Sequence, residues 1–146
     1  MPTTARSEPG SGWELAPAPA ADECRTWSLE RPAQLAVARR DARHLLAVHP
    51  TESSDEASEL VILVLDELAS NALRHGVPPA TVELCEHADG WLVIATDAAP
   101  EALPLPALNR PEELGGMGLH MIAKVTLRCG TDVDDDKKCV WALLAH

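Results

Sequence analysis

Apolar residues fall into runs whose spacing changes along the chain, and each change marks an element. Over residues 32–48, Leu35, Ala38, Ala42, Leu45 and Leu46 recur at the steps of one helix face. Pro32 suits the first turn of that helix. After Pro50, the segment Ser53-Ser54-Asp55-Glu56 reads as a capping box, with Ser53 and Glu56 satisfying each other's orphan amides. The run behind it predicts a long helix that stops at Gly76, where Pro78 and Pro79 block continuation. Its circumference is apolar nearly all round, through Val61, Ile62, Leu65, Leu68, Ala69, Ala72 and Leu73. Strands are then expected over 81–87 and 91–97, and Ala88-Asp89-Gly90 between them carries the Asp-Gly signal of an antiparallel hairpin. A short strand is expected at 24–29, a helix from the glycines at 115–118 to Val125, and two last strands at 126–131 and 138–145. Residues 1–21 are rich in Pro, Ala and Ser without apolar periodicity, which divides the chain into a flexible tail over 1–25 and one domain over 26–146. Residues 98–114 carry four prolines and form a long loop inside the domain, a length that usually serves function.

Composition narrows the function. A chain of 146 residues with 46% apolar content builds a single core and is not disordered throughout. Twelve Lys and Arg against 23 Asp and Glu leave a net charge of −11, which argues against a sequence-independent grip on nucleic acid. Without Phe or Tyr, platforms for base stacking are also scarce. A small anion is still admissible, because a helix N-terminus can hold phosphate whatever the global charge. Arg31, Arg39, Arg40 and Arg43 lie opposite the core face of the first helix, either as a solvated surface or as a patch for an acidic partner. No apolar run is long enough to span a membrane and no signal segment leads the chain, so a cytoplasmic location is expected. Cys24, Cys85, Cys129 and Cys139 form no C-x-x-C pair, which indicates neither a zinc knuckle nor a disulfide framework and favours buried, inert thiols. The acidic stretch Asp132 to Asp136 lacks the glycine and terminal Glu of a calcium loop and reads as a solvated hairpin turn.

Three groups of residues could carry chemistry. Leu60, Val64, Glu67, Asn71, Arg74 and His75 share one side of the long helix, within an arc of roughly 100°. Glu67 and Asn71 one turn apart suit a carboxylate that orients a hydroxyl beside an amide oxygen that ligates Mg²⁺. Alternatively, this face emerges into solvent, with Arg74 and His75 placed against the helix dipole. Gly115, Gly116 and Gly118 precede the helical run from Leu119, as a cradle for an oxyanion or as a flexible joint. Neither a Walker A motif nor a dinucleotide fingerprint is present. Asp97, ending an apolar strand, could accept from an exocyclic amine such as that of adenine, or could be a plain strand-to-turn Asp.

Taken together, these segments resemble the Bergerat-fold (GHKL) ATPase superfamily of gyrase, the heat-shock chaperone ATPases, MutL and the histidine kinases. Within it they are most similar to the small RsbW-like anti-sigma-factor serine/threonine kinases of actinomycetes, over residues 26–146. The run Glu67-Leu68-Ala69-Ser70-Asn71-Ala72-Leu73-Arg74-His75-Gly76 resembles the N-box, and Asp97 falls where the first glycine box has its adenine-binding Asp. Gly115-Gly116-Met117-Gly118-Leu119 falls at the second glycine box, and Lys138-Cys139-Val140-Trp141-Ala142 resembles the terminal strand beside the adenine pocket. The resemblance implies an α+β fold: a two-layer sandwich of a mixed, mostly antiparallel sheet with helices on one face. It implies ATP and Mg²⁺ as ligands, Asn71 on the metal and Glu67 as catalytic base or water-positioning carboxylate. Asp97 would read the adenine amine, with Arg74, His75, Gly115, Gly116, Gly118 and Leu119 around the phosphates. It also implies a sigma factor or anti-anti-sigma protein as partner, leaves homodimerisation open, and involves no direct nucleic acid and no membrane. A non-catalytic module that binds such partners on the same fold is the alternative. The chain departs from the family pattern at Ala98-Ala99-Pro100, which lacks glycine, at Met117 in place of a frequent basic residue, and at Cys139 where Thr is usual near the adenine. Trp91 and Trp141 are expected to flank the pocket.

Overall fold

The computed structural model describes residues 12–49, 54–99 and 116–146. In chain order the elements are β1 (Trp13–Leu15), β2 (Cys24–Leu29), α1 (Pro32–Val48), α2 (Asp55–His75), β3 (Ala80–His87), β4 (Gly90–Asp97), α3 (Gly116–Val125), β5 (Arg128–Val133) and β6 (Lys138–Ala145). The strands form one sheet in the order β1-β5-β6-β4-β3-β2. Only the β1–β5 pair is parallel, so the sheet is mixed and mostly antiparallel.

Successive strand residues point to opposite faces, and the two faces bury different partners. Val82 and Leu84 of β3, Val93 and Ala95 of β4, and Val140, Ala142 and Leu144 of β6 pack in one cluster with residues of all three helices. Cys85, Leu92, Trp141 and Leu143 gather on the other face with no helical residue among them. The fold is therefore α+β, a two-layer sandwich with its helices on one side.

Each helix starts for a local reason. At α1, the Gln34 side chain turns back and accepts from the backbone N–H groups of Glu30 and of Arg31, the latter at 2.9 Å. At α2 the cap is Ser54, whose hydroxyl accepts from the Ala57 N–H at 2.9 Å. The cap thus lies one residue beyond the expected Ser53, which is outside the described residues, and with Ala57 at the third helical position no side chain returns the bond expected of Glu56. The helix ends where Gly76 N–H donates to Ala72 O at 3.0 Å. The α1 arginines are largely committed within the molecule: Arg39 pairs with Asp66, Arg43 with Glu59 at 2.7 Å and Arg40 with Asp41 at 3.4 Å. Two of these clamp α1 onto α2, which favours the surface reading over a free basic patch.

Three expectations need correction. Residues 12–25 are structured: β1 pairs with β5, Trp13 is buried, and the chain then crosses the face of the sheet that carries no helices. That crossing runs between opposite edges, five interstrand spacings or about 24 Å, and nine residue steps from Leu15 to Cys24 reach about 30 Å when extended. The strap is therefore nearly taut, a shape suited to Pro17 and Pro19. Ala18 and Ala21 of the strap pack on the outer cluster, and the Trp141 indole N–H donates to Ala16 O at 2.8 Å. Second, Cys24 and Cys85 are cross-strand partners joined by a disulfide. The pairing was hidden because 61 residues separate them. Third, β5 begins at Arg128, because Thr126 still serves α3 by donating its hydroxyl to Ile122 O at 2.9 Å. The long loop expected over 98–114 falls almost wholly outside the described residues. The acidic turn is a side-chain-closed hairpin, with Asp134 Oδ1 accepting from the N–H groups of Asp136 and Lys137 at 3.0 and 3.1 Å. Among the described residues, no helix is long and apolar enough to cross a membrane.

Candidate functional site

Burial of α2 on both flanks leaves its polar stripe beside the start of α3. Glu67 is half-buried and Asn71 is buried, one turn further on. The Asn71 carboxamide oxygen accepts from Arg74 Nη2 at 2.9 Å, while its Nδ2 is buried without a hydrogen-bond partner. Burial pushes the Glu67 carboxyl above its ordinary range, an effect that the Arg74 charge partly offsets. Arg74 and His75 are exposed in the last turn.

The first turn of α3 meets this stripe directly. A Cβ at Gly118 would stand 2.2 Å from Glu67 Oε2, so only glycine lets the helix start come so close to that carboxylate. Gly116 begins α3, and Gly115 lies outside the described residues. Leu119 turns away into the main core, where it anchors α3 instead of lining the site.

Asp97 closes the other end. It is buried at the end of β4, and its Oδ1 accepts from the Ala99 N–H at 2.8 Å. Gly76, the cap of α2, is pressed against it: a Cβ there would lie 2.5 Å from Asp97 Oδ2. The Ala98 N–H donates to Val77 O at 2.8 Å and ties the two segments together. The end of the Glu67–His75 stripe and the Asp97 carboxylate are thus held in one piece of structure by an absent side chain.

Two residues outside the candidate site set lie against Asp97. Gly76, by sequence a helix stop and the last residue of the N-box-like run, packs on the carboxylate. Lys138, the register partner of Asp97, places its Nζ 3.4 Å from Asp97 Oδ2, with 4% and 3% of the two side chains exposed. Strand parity would have found it, since Lys138 shares a face with Val140, Ala142 and Leu144. By the same parity Cys139 falls on the opposite face, where its Sγ lies 3.4 Å from Thr96 Oγ1. It therefore does not stand beside Asp97. Trp141 also belongs to the outer face, and Trp91 sits at the far end of β4 against His49, with ring centroids 4.8 Å apart. Neither Trp flanks the Asp97 end.

The donor set fits a magnesium nucleotide. Glu67 and Asn71 supply hard oxygen donors of the kind Mg²⁺ prefers, the Asn71 Nδ2 is buried beside them without a hydrogen-bond partner, and the absent Cβ at Gly118 brings the first turn of α3, a helix end of the kind that receives phosphate, against the Glu67 carboxylate. No curated protein matches the chain significantly. A model of the histidine kinase-like ATPase domain matches residues 29–144, from the end of β2 nearly to the end of β6, and the chain belongs to this family of ATP-binding domains.

Proposed function

We propose that this domain binds ATP with Mg²⁺ and transfers the γ-phosphoryl group to a Ser or Thr of an anti-anti-sigma partner, acting as an anti-sigma factor in partner-switching regulation. The observation that carries the reading is the meeting of Glu67 on α2 with Gly118 in the first turn of α3, one helical turn from the buried Asn71, on a helix whose cap Gly76 packs on Asp97. Bound Mg²⁺ would supply charge neutralisation for in-line phosphoryl transfer, which depends on positioning and electrostatics more than on covalent chemistry. Asn71 would hold the metal through Oδ1 once Arg74 releases it, and Arg74 would then be available to phosphate. Glu67, with its carboxyl raised by burial, would accept the proton of the attacking hydroxyl. Asp97 would accept from the adenine 6-amino group.

Thermal melting with ATP, with and without Mg²⁺, tests the ligand. A clear stabilisation at millimolar nucleotide is expected, and Asn71→Ala should abolish its Mg²⁺-dependent part. No shift at all in the wild type would sink the reading. Incubation with labelled ATP and an anti-anti-sigma protein then tests transfer. Label on the partner supports the kinase, whereas partner binding without label identifies the non-catalytic module.

A further inference from the structure

The geometry points to Lys138 as a second base-reading residue: with Asp97 it forms a paired donor and acceptor that recognises the N1 and 6-amino edge of adenine. This rests on the nucleotide site proposed above and deepens it. Lys138 and Asp97 face each other across the β4–β6 ladder, on the face that also carries the helices, and their 3.4 Å contact is almost completely buried. A buried ion pair contributes little net stability compared with an apolar pair of similar size, because desolvation offsets the attraction. Stability alone is thus a poor reason for an ammonium group at the end of β6, where the neighbouring inward positions are Val140, Ala142 and Leu144.

The pair has the chemistry of a base edge in complement. The Asp97 carboxylate is fixed by the Ala99 N–H at Oδ1 and lies next to Lys138 at Oδ2, and a carboxylate offers about four acceptor sites in all. Lys138 offers donors only. Side by side, they present an acceptor next to a donor. Adenine presents the converse: the 6-amino group donates, and the adjacent ring nitrogen N1 accepts. Asp97 alone would leave N1 unread, and a buried, unpaired acceptor is costly. Lys138 supplies the missing donor, and Gly76 lets the cap of α2 press against the Asp97 carboxylate and fix it in place.

Isothermal titration with ATP, with 1-deaza-ATP, in which carbon replaces N1, and with the triphosphate of purine riboside, which lacks the 6-amino group, tests the assignment. The wild type should bind 1-deaza-ATP about 10-fold more weakly than ATP, as expected for loss of a hydrogen bond to a charged group. Lys138→Met should lose that discrimination while still preferring ATP over the analogue without the amino group. A purely structural Lys138 would not change which ring atom is read. Because Lys138→Met leaves a buried carboxylate without its cation, Lys138→Arg, which keeps both the charge and a donor, is titrated beside it and should retain the preference for ATP over 1-deaza-ATP. Equal wild-type binding of ATP and 1-deaza-ATP, or a 10-fold preference that survives in Lys138→Met, would overturn the role of Lys138 alone. Failure of the wild type to bind ATP would overturn the site reading and this assignment with it.

Discussion

Glu67 is a carboxylate held partly out of water against the start of a helix, and that placement costs the folded state something. Its carboxyl is raised above the ordinary value, so its contribution to stability is fully present below the unfolded pKa of about 4.5 and is lost as pH rises through the raised value. Glu67→Gln should therefore melt higher than the wild type at pH 7, by about 1–2 °C on the usual size scaling, and the gain should vanish as pH approaches 4. Paired melting curves from pH 4 to 8 check this, and a gain that is constant with pH would show that charge is not its origin. The two close-packed glycines should respond differently to Ala. At Gly118 the new methyl meets only the end of the flexible Glu67 side chain, 2.2 Å away, which can swing aside. At Gly76 it meets the backbone Ala72 O and the buried, paired Asp97, each 2.5 Å away, and neither can move freely. Denaturant unfolding should show Gly76→Ala destabilised by about 1–3 kcal/mol and Gly118→Ala by less than half as much, the usual scale for overpacking.

At the scale of elements, the chain was legible wherever a period or a cap was local. The α1 and α2 helices, the Asp-Gly hairpin and β6 follow from 3.6-residue and two-residue spacing, Pro at a helix start and Gly at a helix end, all of which act within a few residues. The start of α2 shows the limit: Ser53 and Ser54 are equivalent by composition, and only the observed bond to Ala57 selects Ser54. Ser54→Ala should cost about 1 kcal/mol, seen as a drop of about 2–4 °C in Tm for a chain of this size. Elements whose reasons are distant were not legible. The three residues of β1 make no pattern, and their partner β5 lies more than a hundred residues away. Candidate site residues fared likewise. Glu67, Asn71 and Asp97 stand out because polar groups interrupt apolar runs, whereas Lys138 looks like the end of an acidic turn until its pairing with Asp97 places it. Cys139 was drawn to the adenine by a one-residue offset, and in a strand one residue is the whole difference between faces.

For the whole molecule, the taut strap raises the question of what keeps an open sheet face covered. Its first end continues the β1–β5 pairing through the Ala16 N–H, which donates to Thr131 O at 3.1 Å, and its second joins β3 through the Asp22 N–H, which donates to Glu86 O at 2.9 Å. Immediately beyond lies the Cys24–Cys85 disulfide, whose Cys85 belongs to the outer cluster that the strap covers. This cross-link closes a loop of about 60 residues, for which chain-entropy reasoning gives a stabilisation of about 4 kcal/mol, acting mainly through the unfolded chain. Cys24→Ser should lower stability by that amount in denaturant, and dithiothreitol should reproduce the loss in the wild type and leave the variant unchanged. The folded strap should stay in place after the bond is cut, because Ala18, Ala21 and the Trp141-to-Ala16 hydrogen bond do not depend on it. The wavelength of maximum emission contributed by Trp141, isolated as the difference between the wild type and Trp141→Phe, should then be unchanged by reduction under native conditions. A red shift of that difference spectrum would show that the disulfide, and not the packing, holds the strap on the sheet. The remaining thiols should not confuse the result at neutral pH: Cys129 is buried with its pKa pushed up to about 11, and Cys139 is partly buried against Thr96.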